Sequence, residues 1–161
     1  MKYAEFLQIA GVINKSLGVV PLLFGSLGLE RRLNKSFHAD DIDILIPESV
    51  LINEWDKLIV LMEEEGYHLV STEEHEFKKS DVKIAFAMLE GLSPFAGIDI
   101  SRIPIVSDGG VSFMLLELPD YLKVYEASLK DSYRINVKNK QDQMKIDVIK
   151  EVLNRIERNV T

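Results

Sequence analysis

The chain has no cysteine, which excludes disulfides and cysteine-ligated zinc and is compatible with a reducing cytoplasm, where the protein is expected to reside. It has no apolar run approaching the length of a membrane span, so no membrane partner is expected. The opening stretch MKYAEFLQIAGVINKS is interrupted by Glu5, Gln8, Asn14 and Lys15 and does not read as a secretory leader. Positive charge is in deficit: 19 Lys and Arg stand against 26 Asp and Glu, for a net charge of −7. Such a chain gains no electrostatic attraction to a phosphate backbone, which disfavours nucleic acid and favours a small substrate. Histidines are few, and His68 and His75 have no partner at metal-ligand spacing. There is no repeat, low-complexity tract or linker. With 161 residues, 47% of them hydrophobic and 28% charged, residues 1–161 read as one domain with a full core.

The patterning alternates between helix and strand. Tyr3, Phe6, Leu7, Ala10, Ile13 and Leu17 recur at helical spacing, and Gly18 follows as a stop. Residues 19–24 read as a short buried strand, and Ser26 starts a helix to about Leu33. Residues 41–46 form a second strand, followed by one helix from Pro47 to Glu65 that Gly66 ends. Strands are expected at 67–70, 75–79, 82–88, 97–103 and 111–116, with 75–79 and 82–88 joined as a hairpin at Ser80-Asp81. Helices from Pro119 and over about 139–158 close the chain. The expected class is α/β (α+β), a mixed sheet with flanking helices.

The densest chemistry lies between Phe24 and Ile46. An apolar run ends in Gly25-Ser26, and the next strand carries Asp41 and Asp43. Side chains two apart on a strand share a face, so these carboxylates sit side by side while Ile42 and Ile44 point to a core. Adjacent carboxylates repel unless a cation lies between them. Mg²⁺ takes oxygen ligands, few of them from protein, so the pair reads as a Mg²⁺ site that handles phosphate. Gly25-Ser26 at a strand-to-helix turn fits the same chemistry, because a helix N-terminus binds phosphate through its N–H groups. Asp99, between Ile98 and Ile100 on the strand expected at 97–103, is the candidate third acid. Three carboxylates converging near Gly25-Ser26 can hold one or two ions and activate an attacking hydroxyl.

The order Phe24-Gly25-Ser26, Asp41-Ile42-Asp43-Ile44, then Asp99 resembles the polymerase-beta-like nucleotidyltransferase superfamily. The spacer from Leu27 to Asp40 is similar to that of the small lincosamide and aminoglycoside nucleotidyltransferases, and the segment Lys140–Asp147 looks like their terminal helix. The chain departs from them in carrying Gly-Ser for Gly-Gly and His38-Ala39-Asp40 where many relatives have His-Arg. The resemblance implies a nucleotidyltransferase-like fold with a nucleoside triphosphate donor, such as ATP, bound over Gly25 and Ser26. It implies metal and catalytic roles for Asp41, Asp43 and Asp99, with Lys140 and Lys145 facing the phosphates. The implied reaction moves a nucleoside monophosphate to a hydroxyl of a small molecule and releases pyrophosphate. The alternative is a non-catalytic or antitoxin-like protein of the same fold that binds a nucleotide or a protein partner.

Overall fold

The computed structural model describes residues 2–130 and 137–160, the side chains of 137–140 and 160 excepted. Helix α1 (Lys2–Leu17) buries Phe6, Ile9, Ala10 and Ile13, the i, i+3, i+4, i+7 stripe of an amphipathic helix. Gly18, in the left-handed region at φ 67°, stops it and donates its N–H to the Asn14 carbonyl. The chain continues through β1 (Leu22–Phe24), α2 (Gly25–Leu33), β2 (Asp41–Ile46), α3 (Glu48–Asn53) and α4 (Trp55–Glu64). Next come β3 (His68–Ser71), β4 (Glu76–Lys79), β5 (Val82–Met88), α5 (Leu92–Ala96), β6 (Ile105–Asp108) and β7 (Val111–Met114). Helices α6 (Leu118–Lys130) and α7 (Val137–Val160) complete it.

The strands form one seven-stranded sheet in the order β3-β4-β5-β2-β1-β7-β6. It is mixed: β1 runs antiparallel to β2 and parallel to β7, and β2 runs parallel to β5. The expected mixed sheet with flanking helices is therefore what forms. Strand alternation divides its two faces. Leu23, Ile42, Ile44, Ile84, Phe86 and Phe77 share one face and are buried. Helix α1 covers this face through Phe6, whose ring meets Phe113 edge-on at 5.1 Å. Helix α4 covers it further along, with Trp55 at 5.7 Å from the Phe77 ring. Each large apolar side chain buried there contributes about 1.5–3 kcal/mol. The opposite face carries Phe24, Asp41, Asp43, Lys83, Ala85 and Glu76.

Several expectations need correction. The single helix over 47–65 is two, broken at Glu54 (φ −125°, ψ 22°), which lets Val50 and Trp55 reach different parts of the core. The strand expected at 97–103 does not form. Helix α5 ends at Gly97 (φ 68°), and after the extended Asp99, residues Ile100–Arg102 make a turn of 3-10 helix. Strand β6 was not anticipated, because its register partner β7 pairs with it across Gly109-Gly110 rather than through a strong apolar run of its own.

Candidate active site

Strand β1 delivers the Gly25 turn to the Asp-x-Asp strand. Phe24 pairs with Asp43, so the start of α2 lies beside the Asp43 carboxylate. Gly25 has φ 65°, a conformation that disfavours any side chain. A Cβ built there would also run into the Asp43 carboxyl group. Glycine is therefore needed for both its backbone and its lack of bulk. The residue at the cap position, Phe24, has no side-chain acceptor, and α2 has no acidic residue in its first turn. Its leading N–H groups lack the side-chain cap that usually satisfies them.

Ser26 does not cap the helix either; its hydroxyl accepts a hydrogen bond from Lys145 Nζ at 2.7 Å. Lys145 is only 8% exposed and reaches across from α7. Its ammonium lies 5.2 Å from the centre of the Tyr125 ring. Burying an ammonium is costly without partners. The hydroxyl and the aromatic face offset that cost and hold a positive charge at the start of α2. A phosphate placed there would meet N–H groups and a fixed cation together.

Asp41 and Asp43 lie on the same face of β2, both half-buried, while Ile42 and Ile44 are fully buried behind them. A cleft of about 400 Å³ opens beside Asp43, with Phe24, Ala85 and Ala87 on the sheet and Glu73 and Glu74 on the β3–β4 turn among its lining. Among the described residues no group of three or more acids or histidines is close enough to hold a metal. Two carboxylates fit a Mg²⁺ ion that is completed by substrate phosphates and water, the usual protein share for such an ion. The carboxylate against the side-chain-free Gly25 turn is the feature that fits that group to this site.

Asp99 does not join them. Its side chain is 59% exposed on the loop after α5. The carboxylate accepts from the Ser101 hydroxyl at 2.6 Å and the Ser101 N–H at 3.0 Å, and faces Arg102 at 3.6 Å. These hydrogen bonds, foremost the Ser101 hydroxyl, hold its pKa below the ordinary 3.8. The expected convergence of three carboxylates is corrected to a pair, because the segment closes on itself as a turn instead of joining the sheet.

The side chain of Lys140, at the start of α7, lies outside the described residues. Arg31 and Arg32, close to α2's start in sequence, are engaged elsewhere. Arg31 reaches Asp108 at 3.4 Å and stacks over Tyr3, and Arg32 donates to the Leu115 and Leu116 carbonyls. His38 is exposed in the loop before β2. One contributor escaped sequence reasoning. Glu30 of α2 accepts from the Phe37 N–H at 3.0 Å and the Ala39 N–H at 2.8 Å, tying α2 to the loop that leads into Asp41. Nothing in the local sequence marks that contact.

No protein-family model matches the chain. Among curated proteins, the uncharacterized protein YnaI of Bacillus subtilis (strain 168) is 46% identical over 151 residues, covering 94% of this chain and 97% of that protein. Among solved structures, the solution structure of the antibiotic-resistance factor ANT(2'')-Ia is similar with a TM-score of 0.52 at 12% identity, over 99% of this chain and 95% of that one. The crystal structure of ANT(2'')-Ia in complex with adenylyl-2''-tobramycin gives the same TM-score of 0.52 at 12% identity, over 98% and 99%. At that identity the likeness concerns the fold, which is α/β and nucleotidyltransferase-like.

Proposed function

The chain belongs to the same family as YnaI of Bacillus subtilis, and on that premise we propose that it is a Mg²⁺-dependent nucleotidyltransferase with a small-molecule acceptor. The donor is a nucleoside triphosphate, and the acceptor carries the hydroxyl that is modified. One observation carries the reading: Gly25, Asp43 and the Lys145–Ser26 pair meet at the start of one helix. The fold shared with ANT(2'')-Ia supports it.

In this reading the phosphates lie over the Gly25 turn, where the N–H groups of α2 and the Lys145 ammonium neutralise their charge. Asp41 and Asp43 would hold Mg²⁺, which when bound supplies further charge neutralisation at the phosphates. The acceptor lies in the cleft beside Asp43. Its hydroxyl oxygen bonds to the α-phosphorus as the bond to pyrophosphate breaks, and pyrophosphate leaves with the electron pair. The chain's own contribution is chiefly positioning and electrostatics.

The second reading is a nucleotide- or partner-binding protein of the same fold without transfer. The position of Asp99, turned into its own loop, favours it. Labelled ATP, GTP, CTP and UTP, incubated with the protein, Mg²⁺ and a panel of hydroxylated small molecules, separate the two. Pyrophosphate together with an adduct supports the enzyme. Thermal stabilisation by a triphosphate with no pyrophosphate from any acceptor supports the binder, and no stabilisation removes the enzyme and the nucleotide binder and leaves a partner-binding protein.

A further inference from the structure

Resting on the nucleotidyltransferase reading, we propose that Glu76 is the catalytic base, taking the proton from the acceptor hydroxyl as it attacks. The sheet register carries the argument. Asp43 pairs with Ala85 of β5, and Ala85 pairs with Glu76 of β4. Partners across a sheet share a face, so the three form one row on the open face. The middle member is a methyl group, which leaves space above it between two carboxylates. Two strand spacings put the Asp43 and Glu76 backbones about 10 Å apart. Asp43 and Ala85 line the cleft, and Glu76 stands one strand beyond them on the same face.

Glu73 and Glu74 line the cleft and Glu76 borders it from the strand; its placement on that strand favours Glu76. Its side chain is 22% exposed, and Lys83, next to Asp41 in register, pairs with it at 3.5 Å. That contact fixes the carboxylate on the site's face of a regular strand, where a reactive group is held more firmly than on a loop. Glu73 and Glu74 are exposed on the β3–β4 turn. The His75 ring is turned to Trp55 at 4.9 Å, with α4 on the opposite face. Asp99 is bound into its own loop. In the step, the acceptor O–H proton passes to the Glu76 carboxylate, the acceptor oxygen bonds to the α-phosphorus, and pyrophosphate departs with the electrons of the broken bond.

The test measures pyrophosphate release by wild type, Glu76→Gln and Glu76→Asp with Mg²⁺ and each of ATP, GTP, CTP and UTP. Water alone and a panel of polyols, amino sugars and nucleosides serve as acceptors. Triphosphate-induced thermal shifts are recorded alongside. Glu76→Gln should keep the wild-type thermal shift and lose roughly 10²–10⁴-fold in rate. Glu76→Asp, a charge-preserving control for folding, should retain part of the rate. A Glu76→Gln variant that releases pyrophosphate at the wild-type rate overturns the proposal. A wild type that binds triphosphate without releasing pyrophosphate overturns it too, while the binding site stands. A wild type that binds no triphosphate overturns the underlying reading with it.

Discussion

Ile42-Asp43-Ile44 and Ile98-Asp99-Ile100 are the same tripeptide in two settings. In the first, both isoleucines are fully buried in the middle of the sheet and the aspartate faces the Gly25 turn. In the second, the aspartate is exposed on a loop and its carboxylate is satisfied within two residues. The flanking residues decide. Gly97 in the left-handed region ends a helix just before Asp99, and Ser101 offers a hydroxyl and an N–H at the spacing of a side-chain turn. Two residues after Asp43 stands Leu45, with no side-chain donor, and the strand continues. Ser101 turns the loop aspartate into its own segment, whereas the strand holds Asp43 against the Gly25 turn.

The glycines beside each tripeptide give the largest expected contrast. Both Gly25 and Gly97 have positive φ, but only at Gly25 would a Cβ meet a neighbour. Gly97→Ala should cost about 1–2 kcal/mol of stability, from backbone strain alone, and leave triphosphate binding intact. Gly25→Ala should cost about 1–3 kcal/mol and abolish triphosphate binding, since the new methyl displaces the Asp43 carboxylate. Denaturant unfolding and isothermal titration with Mg²⁺ and ATP measure both. Equal effects on binding at the two positions would erase the distinction drawn here.

Next in size is Lys145→Met. It removes the cation from the start of α2 while keeping much of the buried stem, and triphosphate affinity should fall about tenfold, or ~1.4 kcal/mol. Undiminished affinity would mean that Lys145 serves α7 packing alone.

The smallest effect concerns a carboxylate that, like Asp99, is already satisfied. Glu5 accepts from the Tyr67 hydroxyl at 2.7 Å and Lys79 at 3.1 Å, and these bonds, the tyrosine's first, lower its pKa below the ordinary 4.5. A depressed carboxylate pKa contributes stability that is present above the unfolded value and lost as pH falls through the folded one. Glu5→Gln should therefore reduce the loss of melting temperature below about pH 4.5 and leave triphosphate binding unchanged. A binding defect in Glu5→Gln would show that the α1–β4 side of the sheet couples to the site.

Much of this was legible in the chain. The boundaries of β2 and β5 follow from apolar runs bounded by Asp40 and Ser80-Asp81, and the β4–β5 hairpin from its two-residue turn. That hairpin also fixes Glu76 opposite Ala85, so half of the Asp43–Ala85–Glu76 row could be counted off the sequence. The other half could not, because the parallel docking of β5 on β2 joins segments about forty residues apart and leaves no local mark. The same limit explains Asp99, where apolar flanks mimic a strand and only Gly97 and Ser101 betray the turn. Lys145 was found through its likeness to a terminal helix, whereas its contact with Ser26 spans 119 positions. Glu30's hold on the loop before Asp41 depends on how a helix folds back, which composition does not encode.

In the proposed function, Asp43 and the Gly25 turn form a Mg²⁺-triphosphate site that excludes Asp99. Thermal unfolding of wild type, Asp43→Asn and Asp99→Asn, with and without Mg²⁺ and ATP, GTP, CTP or UTP, tests it most directly. At a hundred times the dissociation constant, binding adds about 2.7 kcal/mol, or a rise of roughly 5–10 °C for a chain of this size. That rise, dependent on Mg²⁺, is expected in wild type and Asp99→Asn. No rise is expected in Asp43→Asn, which lacks one of the two carboxylates that would hold the ion. A full rise in Asp43→Asn, its loss in Asp99→Asn, or no rise in wild type with any triphosphate would mean that the site is not the one proposed.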